Sequence, residues 1–211
     1  MTPSADGPDS VGSLLAARGP AEADATAGTA ARLLVVVLHY HGLADTLACL
    51  ASLRTQTGFS ASDLSVPHLS VPHLSVLVVD NGADPGDLAR IAAAFPEIET
   101  LRPGTNLGWA GGNNVGLRRG LERGCDHVCL LNNDTVLAAD ALAELLAAAA
   151  AVRRETGRPG LLHPMIHDLD ESGRAQLAPG PAPADAAPAA RRLAERDGVV
   201  EIGWAYGACL L

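Results

Sequence analysis

Residues Val128–Thr135 read VCLLNNDT. An unbroken apolar strand, Val128–Leu131, runs directly into two amides and a carboxylate, Asn132, Asn133 and Asp134. In α/β sheets, ligands bind beyond the carboxyl ends of the strands. A carboxylate delivered there can hold a hard cation, Mg²⁺ or Mn²⁺, which takes oxygen ligands and bridges phosphates. Asn132 and Asn133 can orient sugar hydroxyls or metal-bound water. Their competing role is a turn and helix-cap network.

Working outward, the same strand-then-polar pattern recurs upstream. Leu33–Leu38 (LLVVVL) is a buried strand by its unbroken aliphatic run. It ends at His39, Tyr40 and His41; Tyr40 can stack on a base or pack against the sheet edge, and a histidine could touch a phosphate. A helix is expected over Gly42–Leu53, with Leu43, Leu47 and Leu50 on its sheet face. A second strand, Leu74–Val79, ends in Asp80-Asn81-Gly82. Asp80 either caps that turn, or accepts hydrogen bonds from a base or ribose, or helps hold a cation. A short helix within Pro85–Phe95 and a strand at Ile98–Leu101 follow, then a loop, Arg102–Gly112, and a helix from about Gly112 to Arg123. Gly124 stops that helix as a left-handed residue. After the fourth strand, Thr135–Ala139 turns into a helix ending near Arg154, and Gly160–Ile166 begins another extended segment. This rhythm predicts an α/β fold, a mostly parallel Rossmann-like sheet flanked by helices.

Between the first helix and second strand lies a tandem repeat, SVPHL at Ser65–Leu69 and again at Ser70–Leu74. Pro67 and Pro72 remove amide donors, so regular strand should begin only after Pro72. His68 and His73 read as a duplicated surface loop rather than a metal pair. His163 and His167 have helical spacing, but Pro164 between them argues against a zinc-binding helix.

The chain has 211 residues and a formal net charge of -9, with no lysine. That length suits one domain. No basic stripe offers itself to a nucleic acid backbone. Four cysteines, Cys49, Cys125, Cys129 and Cys209, lack metal-type spacing and read as buried thiols in a reducing compartment. No stretch approaches the ~18 apolar residues of a membrane span, and no signal peptide is legible. Residues 1–31 are rich in Ala, Gly, Pro, Asp and Ser and read as a disordered leader, leaving 32–211 as the folded domain. Ala178–Pro188 reads as a flexible excursion, and Val199–Ile202 as a short late strand.

Asn106–Asn114 reads NLGWAGGNN. Its glycines would let backbone approach a ligand, and the helix beginning there aims free N–H groups at an anion. Asn113 is either a donor-binding amide or an ordinary early helix residue. Trp109 either walls a pocket or plugs the core. The spacing fits neither the dinucleotide GxGxxG nor the GxxxxGK phosphate loop.

Taken together, LLVVVLHYHG (Leu33–Gly42), VLVVDNGA (Val76–Ala83), NLGWAGGNNVGLRRGLERGCDHVCLLNNDT (Asn106–Thr135) and GACLL (Gly207–Leu211) resemble the family 2 glycosyltransferases, especially a rhamnosyltransferase-like branch. The resemblance implies a GT-A fold. It implies transfer of a sugar from a nucleotide diphosphate donor, a dTDP- or UDP-sugar, to a saccharide or glycolipid hydroxyl, inverting and assisted by Mg²⁺ or Mn²⁺. By that resemblance, Asp80 and Tyr40 meet the nucleoside, and Asn106, Gly108 and Asn113 belong to the donor site. Asn132, Asn133 and Asp134 form the metal and diphosphate triad, with Asp134 the metal ligand. Asn132 stands where the family's Asp-any-Asp pattern has its first acid. His39 and His41 depart from the asparagines that often flank the strand-one aromatic. Family members continue past GACLL to a catalytic base; no residue here matches it, so an incomplete, truncated C-terminal part is expected and no catalytic residue is assigned. Localisation is expected to be cytoplasmic, with a peripheral position at the inner membrane face, in cell-surface polysaccharide synthesis.

Two other functions compete. A sugar-phosphate nucleotidyltransferase would want a basic glycine-rich loop after strand one, where this chain has HYHGLAD. A catalytically incomplete remnant that binds donor without turnover is the non-enzymatic alternative.

Overall fold

The computed structural model describes residues 30–59, 72–164, 166 and 209–211. Four strands run parallel: β1 (Arg32–His39), β2 (His73–Asp80), β3 (Glu99–Leu101) and β4 (His127–Asn132). A two-residue strand, β5 (Cys209–Leu210), adds antiparallel to β4, and the sheet order is β3-β2-β1-β4-β5. β1 is central and pairs along its length with β2 and β4, Leu38 lying opposite both Val79 and Asn132. The helices are α1 (Leu43–Arg54), α2 (Asp87–Ala94), α3 (Gly108–Glu122) and α4 (Ala141–Thr156). The expected α/β class and mostly parallel sheet stand.

Alternation along β1 divides the core. Leu33, Val35 and Val37 face one side, with Cys49, Leu50 and Leu53 of α1, Ile91 of α2, and Leu142 and Leu145 of α4. Leu34, Val36 and Leu38 face the other, with Leu77, Val79 and Val115. Each such side chain removed from water is worth roughly 1.5–3 kcal/mol, so both faces of the sheet must be covered. Three helices cover the first face, and α3 covers the second.

That single cover lies unusually close. Gly112, Gly116 and Gly120 recur at i, i+4 and i+8, so they form one stripe on α3. A Cβ at each would lie under 3.0 Å from Leu38, Val36 and Val128, respectively. The sequence reading assigned Gly112 to ligand approach; here it backs onto Leu38 and the Asn81 side chain. Downstream, Gly124 adopts φ 64°, and its N–H bonds to Leu121 O while Cys125 N bonds to Gly120 O. This pair of bonds is a Schellman stop, as expected for Gly124.

Boundaries differ from expectation at instructive places. β2 begins at His73, immediately after Pro72, because Pro72 is the last residue that denies the ladder a donor. Helix α3 begins at Gly108 rather than near Gly112, because side-chain amides satisfy its first free N–H groups. The extended segment expected at Gly160–Ile166 forms no strand over 160–164, yet Leu162 exchanges two backbone hydrogen bonds with Leu211. Cys209 and Leu211 are buried beside β4. The Val199–Ile202 strand, the Ala178–Pro188 excursion and all but Ala30 and Ala31 of the leader lie outside the described residues. Among the described residues, no helix is long and apolar enough to cross a membrane.

Replacing Gly116 by Ala drives a methyl into Val36. We expect a loss of about 1–3 kcal/mol, read as a lower urea midpoint at unchanged m-value. An unchanged midpoint would mean that α3 does not rest on β1.

Candidate functional site

Parallel strands deliver their carboxyl ends to one edge, and a groove of about 350 Å³ opens there. It is lined by Leu38, Tyr40, Asn81, Asn106, Gly108, Trp109, Asn132, Asn133 and Asp134. The sequence therefore brings together Tyr40, Asn106, Gly108, Asn132, Asn133 and Asp134. Asp80 and Asn113 do not line the groove.

Asn81 is the member that sequence reasoning missed. Its side chain is 3% exposed. Oδ1 accepts from Leu107 N (2.9 Å), while Nδ2 donates to Asn106 Oδ1 (3.2 Å) and Gly108 O (3.1 Å). Its own N–H donates to His39 O (2.7 Å). One residue thus ties the ends of β1 and β2 to the start of α3. Asn106 Oδ1 also accepts from Gly108 N (2.8 Å), a side-chain turn just before the helix. The only sequence signal for this role was the DNG turn, which reads equally well as an ordinary turn.

Asp80 takes the turn role weighed for it. Oδ1 accepts from Gly82 N (3.1 Å) and Ala83 N (2.9 Å), and Oδ2 accepts from Arg102 Nε (2.6 Å). Its carboxylate is fully buried and compensated by these donors. Arg102, half-exposed, is paired to it as well through its terminal nitrogen. Asn113 is buried, with Nδ2 donating to Trp109 O (3.0 Å) and Oδ1 unpartnered among the described residues.

His39 is also buried, although it sits in the strand-one motif. Its Nδ1 bonds to Thr46 Oγ1 (2.8 Å) and its Nε2 lies 3.4 Å from Asp87 Oδ2. His39 therefore ties α1 to the end of β1, while its Nε2 makes no hydrogen bond among the described residues. Tyr40 and His41 remain at the surface with ring centroids 3.8 Å apart. The Thr46 hydroxyl is a node: it donates to Gly42 O (3.1 Å) and accepts from Asn133 Nδ2 (2.9 Å). Asn133 Nδ2 also donates to His41 O (2.7 Å). Asn132 Oδ1 accepts from Trp109 Nε1 (3.0 Å). Asp134 is exposed and, among the described residues, is the one charged residue lining the groove.

Cys49 underlies this edge, its thiol 3.7 Å from Asn132 O. Burial, then the nearby Cys209 and Asp134, push it up to about 12. Cys129 and Cys209 lie with sulfurs 3.7 Å apart, and the Cys129 thiol is raised well above its ordinary value by that contact and by burial. Burial keeps the Cys49 and Cys129 thiols protonated, so neither is a ready nucleophile. Among the described residues, no three His, Cys, Asp or Glu side chains converge on a metal position.

The sequence profile described as Glycosyl transferase family 2 matches residues 34–155. Uncharacterized proteins of Mycobacterium tuberculosis and Mycobacterium bovis are 41% identical over 73 residues, covering 33% of this chain and 24% of theirs. The match thus spans about a quarter of the length of these curated relatives. Among solved structures, S. aureus TarS in complex with UDP has a TM-score of 0.43 at 21% identity, covering 59% of this chain and 33% of that one. The mannosyltransferase PcManGT of Pyrobaculum calidifontis, in complex with GDP-Man and Mn²⁺, has a TM-score of 0.39 at 22% identity, covering 54% and 31%. A 4-diphosphocytidyl-2C-methyl-D-erythritol synthase has a TM-score of 0.43 at 16% identity, covering 71% and 67%.

Two outcomes follow from the site geometry. Asn81→Ala removes three side-chain hydrogen bonds and leaves Leu107 N without its acceptor. It should cost about 1–3 kcal/mol and speed hydrogen exchange at Leu107 and Gly108; unchanged exchange would refute the anchoring role. Native protein alkylated at pH 8 should be modified at half-buried Cys125 before Cys49 or Cys129: burial raises all three thiols, but Cys49, pushed up to about 12, and Cys129 are also shielded from reagent. Peptide mass spectrometry showing Cys49 modified first would contradict the assignment.

Proposed function

Because this chain belongs to glycosyl transferase family 2, its domain matching across residues 34–155, we propose that it transfers a sugar from a nucleoside diphosphate donor to an acceptor hydroxyl. The observation that carries the reading is the exposed Asp134 carboxylate, set among neutral amides at the carboxyl edge of the sheet. Donor diphosphate occupies the groove between the β4 end and the start of α3. The nucleoside lies toward Tyr40 and the β2 end. There Asp80 holds the turn that carries Asn81, and it fixes Arg102.

A divalent cation fits this groove in a restricted way. Asp134 would hold it, and the remaining positions would fall to water and donor oxygens, a division that suits Mg²⁺. When bound, the cation would neutralise the leaving diphosphate. The chain's own residues do the rest. Asn133 is locked to Thr46 and His41, so it fixes the loop that carries Asp134. Trp109 and Tyr40 supply aromatic walls.

The finer reading is an inverting transfer from a dTDP- or UDP-sugar, rhamnose among the candidates, to a saccharide or glycolipid in cell-surface polysaccharide synthesis. We place it on the cytoplasmic side, at the inner face of the membrane; free cysteines among the described residues suit a reducing compartment. A second reading is donor binding without turnover: among the described residues Asp134 is the one carboxylate lining the groove, and one group cannot both hold the cation and deprotonate the acceptor. A nucleotidyltransferase reading is weaker, since no Arg among the described residues lines the groove to meet a triphosphate.

Calorimetric titration with UDP- and dTDP-sugars tests the reading. Wild type should bind at least one of them, about tenfold or more tightly with Mn²⁺ than with EDTA. Asp134→Asn should erase that difference while leaving EDTA affinity within about threefold. A folded sample that binds none of them refutes the proposal.

A further inference from the structure

The groove chemistry makes no use of the cysteines, yet the fold brings two of them into contact. Cys129 of β4 and Cys209 of β5 are 80 residues apart in sequence, and their sulfurs lie 3.7 Å from one another. Both side chains are fully buried, on the face of the sheet that α1, α2 and α4 cover. Cys125 packs on the opposite face. Cys49 shares the face of the pair, but its thiol is engaged with Asn132 O.

Strand register explains the meeting. β5 runs antiparallel to β4, with Cys209 opposite Leu131 and Leu210 opposite Leu130. Residues two apart on a strand share a face, so Cys129 lies diagonally across from Cys209. A diagonal pair is at the outer reach of a disulfide, whose sulfurs must close to about 2.05 Å. One strand has to move for that to happen. β4 is held by β1 along its whole length, from His127 to Asn132. β5 is free to yield, being two residues long and paired with β4 at two positions. The same movement governs reactivity. With β5 docked, contact with Cys209 and burial keep the Cys129 thiol protonated. Lifting β5 removes both causes together and uncovers the two sulfurs at once.

We propose that Cys129 and Cys209 are a modification site, a dithiol that closes reversibly to a disulfide and staples the edge strand β5 to β4. The oxidant is a low-molecular-weight disulfide. One protein thiolate attacks it, forming a mixed disulfide and releasing one small thiolate. The second protein thiolate then displaces the other small thiolate as the Cys129–Cys209 bond forms. The two protein thiols give up two electrons and two protons, and the small disulfide takes them up and leaves as two thiols. A reducing compartment keeps the pair open, and oxidation of its thiol pool closes it. Because Leu211 exchanges two backbone hydrogen bonds with Leu162, the staple also secures that segment. The site is independent of what the groove binds.

The test is oxidation of the folded chain by oxidised glutathione at pH 8, followed by alkylation, tryptic digestion and mass spectrometry. No Arg separates Cys125 from Cys129, so the two share a tryptic peptide, and the Cys125→Ser variant makes the linkage unambiguous. The expected main product is a Cys129–Cys209 link that dithiothreitol reverses. Amide hydrogen exchange at Leu162 and Leu211 should slow at least about tenfold in the oxidised form, because the bridge opposes the opening of β5. Adding Cys129→Ala removes the resolving thiol. That variant should stop at a Cys209–glutathione adduct, with exchange at Leu162 no slower than before oxidation.

Other outcomes overturn the proposal. A link from Cys49 to either partner would do so, as would glutathione adducts without a bridge. A bridge that forms only in urea, or no reaction at all in the folded chain, would reduce the sulfur contact to core packing. A bridge that leaves exchange at Leu162 and Leu211 unchanged would mean that β5 is not what it secures. Each of these results leaves the donor titration of the groove standing, and failure of that titration leaves the staple standing.

Discussion

The close approach of α3 to the sheet is the constraint on which the site depends. Three of the four helices among the described residues pack on one face through leucine, isoleucine and cysteine side chains. Helix α3 covers the other face through a stripe of glycines. With side chains at these positions the helix would have to stand off the sheet, since interiors are packed too tightly to absorb extra methyls. The gap would leave Val36 and Val79 partly uncovered. It would also lift the start of α3 away from the end of β2, where Asn81 reaches Leu107 and Gly108 over hydrogen-bond distances near 3 Å. Backbone contact on the sheet thus fixes a polar contact at its edge.

From that edge a rigid frame of neutral amides follows. Asn81, Asn106 and Gly108 close one side; Asn133, Thr46 and His41 close the other. His39 contributes from beneath by holding Thr46. Buried amides and hydroxyls that satisfy one another cost little and specify one arrangement, whereas a half-satisfied set would be destabilising. The frame makes the loops beyond β2 and β4 parts of one network. A groove of this kind presents preorganised dipoles, which need no rearrangement when charge arrives.

Much of this fold was legible because unbroken aliphatic runs identify strands buried on both faces, and β1, β2 and β4 all have them. Gly124 was legible because a left-handed stop is a local matter. Most of the groove lining was legible too, since polar residues directly after such strands fall at the ligand-binding edge. The glycines of α3 were misassigned because glycine signals closeness without saying to what. Gly112 met a neighbouring strand rather than a ligand. The buried state of His39 and Asp80 was hidden for a related reason. A polar residue at a strand end faces solvent or core according to partners far away in sequence, here Thr46, Asp87 and Arg102. The start of α3 at Gly108 depended on Asn81, 27 residues upstream.

The electrostatics of the groove follow from what its lining lacks. The diphosphate of the proposed donor brings at least two negative charges, and among the described residues the one formal charge lining the groove is another negative one, Asp134. In a site partly withdrawn from water, that sum is unfavourable unless a cation arrives with the ligand or N–H donors are already aimed at it. Under the proposed function Asp134 suits the first means, and the amides of the lining suit the second. Neutral amides beside one carboxylate keep the repulsion of an anionic ligand small, because a second carboxylate at the same strand end would add to it whenever the cation is absent.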